Sequence, residues 1–120
     1  MFSKKIIIDF YKSDALINSK VMQTFLHPDI ILEWNSSKGA IVMDYQEILD
    51  FTDNIAKAYI RSKVRITHLI KEKNTFAVKY SHSVKTIENP REEILLANFF
   101  VIWELKDEKL FRGYQISQLL

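Results

Sequence analysis

No cysteine occurs anywhere in the 120 residues. That excludes disulfides, a thiolate nucleophile and any cysteine-ligated metal site, and it suits a reducing, cytoplasmic location. Glycine and proline number two each, so the chain holds no linker and no low-complexity stretch. Long apolar runs are missing too. Asp9 and Lys12 close the isoleucine run at 6–8 well before the roughly 7–15 residues of a signal-peptide core. Nothing approaches the ~18 apolar residues of a membrane span. Neither sign of charge dominates, with 17 basic and 15 acidic residues and a net charge of +2. Spread along the chain, these charges describe a solvated surface rather than a phosphate-binding stripe. They predict neither a nucleic-acid nor a membrane partner.

What is present describes one globular domain, residues 1–120. Hydrophobic residues make up 48% and charged residues 27%, enough to build a core without staples. Residues 4–17 carry Ile7, Phe10, Asp14 and Ile17 at helical spacing. Asn18 and Ser19 offer a stop and a new cap before a second helix over 20–26, which His27-Pro28 breaks. "DIILEW", residues 29–34, reads as a strand with Ile30, Leu32 and Trp34 inward, and "AIVM" as a short one. Asp44 followed by Glu47 is a capping-box pattern opening a helix from Tyr45 to about Tyr59. Its inward stripe is Ile48, Phe51, Thr52, Ile55 and Tyr59.

A meander of strands follows. In 62–71 the alternation sets Val64, Ile66, His68 and Ile70 on one face. In 75–86 it sets Phe76, Val78, Tyr80, His82 and Val84 together. Residues 93–105, "EILLANFFVIWEL", are apolar on both faces, which predicts a strand covered on both sides. The last strand spans 109–119, with Gly113 marking a bulge. The fold class is α+β: a strongly curved antiparallel sheet wrapped around N-terminal helices, in the order α-α-β-(β)-α-β-β-β-β.

Three stretches carry a family resemblance. "MQTFLHPDIILEW", "MDYQEILDFTDNI" and "FFVIWELKDEKLFRGYQIS" resemble the second helix and first strand, the third helix, and the closing hairpin of the nuclear transport factor two-like superfamily. That superfamily includes SnoaL-like polyketide cyclases and ketosteroid isomerases. The resemblance covers nearly all of the chain and implies a cone-shaped α+β barrel with a pocket at its wide end. It also implies a homodimer through the outer sheet face. The catalytic tyrosine and aspartate of ketosteroid isomerases fall on Phe10 and Trp34, which cannot carry that acid/base chemistry. The family's protonated aspartic acid falls nearest Asn98, and the closing-strand aspartate of SnoaL-like proteins on Ser117.

The candidate site residues follow from the alternating faces. With a three-residue turn pairing Lys71 to Thr75, His82 lies opposite Val64 and His68 opposite Val78 on one face. The histidines are then ~13 Å apart along the ladder, too far to share a metal ion. No metal and no cofactor is expected. Asn98 joins His82 in one register, whereas the alternative register turns Ala97 and Phe99 inward. His82, His68 and Asn98 form the candidate catalytic set, which resembles in kind that of scytalone dehydratase. Tyr80, Trp34, Phe10, Asp14, Tyr59 and Phe100 form the ligand-binding set. The expected partner is a small hydrophobic or aromatic molecule. The alternatives are a lyase or isomerase using the two histidines and Asn98, and a non-catalytic dimeric interaction module.

Overall fold

The computed structural model of the chain describes residues 4–119. Helix α1 (Lys4–Lys12) buries Ile7, Phe10 and Tyr11, one face of a helical turn. It stops at Ser13, whose Oγ donates to the Phe10 carbonyl at 2.6 Å and accepts from the Ala15 amide at 3.2 Å. This local bonding competes with the helical ladder and ends it, so the helix expected over 4–17 is cut short. A 3-10 turn, Ala15–Ile17, follows, and the change of pitch leaves Asp14 exposed rather than inward. Asn18 then caps α2 (Ser19–Met22) by accepting from the Lys20 and Val21 amides.

Strand β1 (Leu26–Ser36) starts earlier than expected and runs through Pro28. Its pairing lapses between Leu26 and Ile31, so the missing proline N–H costs no ladder bond. Strand β2 (Gly39–Met43) folds back on β1. Helix α3 (Tyr45–Ala56) opens on the expected capping box, with the Glu47 amide 2.9 Å from Asp44 Oδ1 and the Asp44 amide 3.2 Å from Glu47 Oε1. It ends one turn before Tyr59. That residue pairs with Thr86 as the first of β3 (Tyr59–Glu72), so sheet bonds replace the last helical turn.

Strands β4 (Thr75–Thr86), β5 (Ile94–Lys106) and β6 (Lys109–Leu119) complete an open six-stranded sheet of order β2-β1-β6-β5-β4-β3. Its pairs are antiparallel except β1 with β6, which run parallel. The sheet curves around the helices, and Ile30, Val78, Val101 and Leu110 are among the side chains sealed between them. The architecture is the expected α+β cone.

Gly113 has a different role from the one its sequence position suggested. The register shift near it lies between Glu104 and Leu105, leaving Phe111 as the extra residue. A Cβ on Gly113 would lie 2.5 Å from Trp103 Cζ3 and 2.7 Å from Leu32 Cδ1. The glycine therefore lets the Trp103 ring lie flush on β6. We expect Gly113→Ala to destabilise the fold by about 1–3 kcal/mol through overpacking. Urea unfolding checks this, and an unchanged midpoint would refute the close approach.

Candidate functional site

The concave face of the sheet and the helices enclose a hollow of about 80 Å³. Phe10, Trp34, Phe51, Phe99 and Trp103 line it together with aliphatic side chains such as Leu32, Met43 and Ile48. No Lys, Arg, Asp or Glu lines it among the described residues. The polar groups there are Tyr11, Thr52, Tyr80, His82 and Gln115.

Several of those polar atoms are satisfied within the protein. Thr52 Oγ1 donates to the Ile48 carbonyl at 2.9 Å. Trp34 Nε1 donates to Ser117 Oγ at 2.8 Å. His82 Nε2 lies 2.7 Å from Ser62 Oγ on β3. The His82 ring is 4% exposed, and burial lowers its pKa from 6.5 to about 4, so it is neutral at neutral pH.

Trp103, Tyr11 and Tyr80 form a chain. Trp103 Nε1 donates to Tyr11 Oη at 2.8 Å, and the two phenol groups hydrogen-bond to each other. Burial holds both phenols above their ordinary pKa, so both keep their protons. The indole can only donate. Three donor hydrogens thus meet two internal acceptor places, and one hydroxyl hydrogen is left over. Both tyrosines line the hollow, so it is free for a group placed there.

Gln115 is the second free polar group. It is 8% exposed and lines the hollow, and no hydrogen bond of its side-chain amide to the protein is present among the described residues. No side-chain nitrogen or oxygen sealed from solvent lacks a partner among the described residues, so the Gln115 amide keeps access to water, which a ligand group could replace. Sequence reasoning missed it because Tyr114 and Ile116 flank it on β6. Those two apolar residues face outward instead, 41% and 62% exposed.

Of the expected residues, the structure brings His82, Tyr80, Trp34 and Phe10 to the hollow. It separates the others. The β3–β4 turn is two residues, not three, because Glu72 pairs with Thr75. A bulge at Thr67 then restores the expected Val64–His82 pairing but throws His68 opposite Lys79 and out to solvent. Asn98 and Phe100 face outward because Ala97 pairs with His82 and Phe99 with Tyr80, the alternative register. Asp14 and Tyr59 are not among the lining residues. His82, His68 and Asn98 therefore do not converge on one site.

No protein-family model and no curated protein matches the chain by sequence. Solved structures do match by shape. IdmH, described as a putative polyketide cyclase from Streptomyces antibioticus, superposes with a TM-score of 0.74 at 10% identity, over 95% of this chain and 90% of that one. A hypothetical protein from Catenulispora acidiphila, described as having the ketosteroid isomerase-like fold, gives 0.70 at 10% identity, over 94% and 85%. TerC gives 0.65 at 17% identity, over 93% and 88%. The chain shares the fold of these structures, described in one of them as the ketosteroid isomerase-like fold. At these identities the likeness to other cones is one of fold alone, and the chemistry of this cone must come from its own lining.

The His82 environment sets a pH dependence. The folded state prefers the neutral ring, so protonation is easier in the unfolded chain. This contribution is present above pH 6.5 and is lost as pH falls toward about 4. The loss is on the order of 3 kcal/mol across that window. We expect His82→Gln to flatten the acid side of the stability profile, measured by urea unfolding from neutral pH downward. An identical slope in both proteins would show that His82 takes up its proton equally readily in the folded and unfolded chain, against this reading.

Proposed function

We propose that the cone binds a small uncharged molecule, hydrophobic or aromatic in body, bearing a hydrogen-bonding group such as a carbonyl. The observation that carries this reading is the unpartnered Gln115 amide in a wall with no charged side chain. The leftover phenol hydrogen of the Tyr11–Tyr80 pair supports the same occupant, as a donor for a carbonyl oxygen. A formal charge would enter without a counter-ion, at a heavy desolvation cost.

The hollow is smaller than the ~150 Å³ that admits benzene in an apolar cavity. It suits a molecule of a few heavy atoms at rest. Met22 and Met43 in the wall are unbranched and repack easily, which extends the range upward. Among similar cones, the Catenulispora protein was crystallised with trimethylamine and TerC with polyporic acid. Both support a small-molecule role in this architecture. His82, Tyr80, Trp34 and Phe10 are the proposed contacts, with Gln115 added.

Cyclopentanone and cyclopentylamine make a discriminating pair of probes, equal in size and opposite in charge state. In amide chemical-shift titrations we expect the ketone to move the β4 and β6 signals around Tyr80 and Gln115, and the ammonium to leave them still. Gln115→Leu should weaken the ketone about five- to tenfold, the worth of one hydrogen bond. Tighter binding of the ammonium would overturn the neutral-ligand reading.

The outer sheet face favours a second, compatible role as a homodimer interface. Phe100 and Ile116 are directly paired there at 58% and 62% exposure, beside the Ile102–Tyr114 pair. Contiguous exposed apolar side chains of this kind mark interaction surfaces. Light scattering after size exclusion should give twice the 14.2 kDa chain mass. Phe100→Glu combined with Ile116→Lys should return the monomer mass, and a monomeric parent protein would end this part of the proposal.

A further inference from the structure

The charges look scattered along the sequence, but strand pairing gathers those of one sign. Residues 57–87 contain eight Lys and Arg against a single acid, Glu72. The remainder holds nine basic and fourteen acidic residues, so the chain is strongly polarised despite its net +2. In the β3–β4 hairpin Arg61, Lys63, Arg65, Lys79 and Lys85 take the outward phase, while Lys71, opposite Phe76 at the hairpin's end, takes the inward one.

The register makes that outward face a defined array. Arg61 lies directly opposite Lys85, Lys63 opposite Ser83, Arg65 opposite Ser81, and His68 opposite Lys79. Directly opposite residues share a face, so four successive rows present cations and hydroxyls side by side. From Arg61 to His68 they run ~23 Å at ~3.3 Å per residue. Like charges across a ladder are destabilising, yet Arg61 and Lys85 are paired. None of Arg61, Lys63, Arg65, Lys79 and Lys85 forms an ion pair with a carboxylate among the described residues.

We infer that this face binds the phosphate backbone of a single-stranded nucleic acid. Arg, Lys and Ser are the side chains that hold phosphate oxygens, and a row of cations two residues apart matches a linear polyanion. The strip is two strands wide and bounded by acids: Glu72 at the β3–β4 turn, and Glu88, Glu92 and Glu93 after β4. A planar anionic bilayer would meet those carboxylates as well, whereas a strand crossing the face need not. The array reads charge and spacing, without base contacts. It lies apart from the cone's hollow and does not depend on what the hollow binds.

The test is fluorescence anisotropy of the full chain with a short labelled single-stranded oligonucleotide over a salt series. Three or four phosphate contacts predict a log–log salt slope of about −2 to −3. Lys63→Glu with Arg65→Glu should weaken binding at least about tenfold at low salt and make the slope shallower by about 1.4. Lys20→Glu with Lys38→Glu makes the same change in net charge away from the strip and should leave affinity unchanged. Phosphatidylserine vesicles and polyglutamate are the competing occupants. No oligonucleotide binding overturns the inference. So does equal loss in both double variants, or tighter binding of vesicles or polyglutamate than of the oligonucleotide. A circular-dichroism melt of each variant confirms that the fold is kept.

Discussion

The hydrogen bond from Trp103 to Tyr11 ties the cone together. Trp103 sits mid-sheet on β5 and lies flush on Gly113 of β6 and against Leu32 of β1. Its indole N–H reaches across the core to α1. One side chain thus fixes the spacing of three strands and the height of the first helix above them. Phe10 adds edge contacts to Tyr11, Phe25 and Trp103 at centroid distances of 4.7, 5.3 and 6.1 Å. These aromatics are large, rigid and interlocked, so this side of the hollow is fixed, and adaptability is left to Met22 and Met43.

That same bond determines the chemistry of the hollow. Because the indole is donor-only, Tyr11 must accept, and the Tyr11–Tyr80 pair keeps one hydrogen in reserve. The stacked Tyr80 and Phe99 rings, 4.8 Å apart, hold the phenol in place. Gln115 and neutral His82 complete a lining with hydrogen-bonding capacity and no net charge. The side chains that stabilise the core therefore also line the hollow. The outward faces differ in character: an apolar patch on β5–β6 and a basic one on β3–β4.

Much of the fold was legible in the chain. Helical spacing located α1, the Asp44–Glu47 pair located the start of α3, and period-two alternation gave the inward face of β4 correctly through His82. Legibility failed where local bonding or pairing outcompeted pattern. Ser13 cut α1, β-pairing at Tyr59 shortened α3, and Gly113 was a close approach rather than a bulge. The candidate site was half legible. His82, Tyr80, Trp34 and Phe10 were found by face, while His68 and Asn98 were lost to one bulge and one register. Gln115 stayed hidden, because a strand flanked by outward apolar residues reads as if its polar residues faced water.

Composition and periodicity by themselves determined the element order, the α+β class and the inner row of β4, because side-chain spacing of 2.0 or 3.6 is a local property written along the chain. Tertiary structure alone decided which histidine reaches the hollow, that an unpartnered amide lies in its wall, and that dispersed lysines and arginines form one strip. Each of these turns on a register shift or a contact between residues far apart in sequence. A shift of one residue moves a side chain to the opposite face, and no local pattern encodes it.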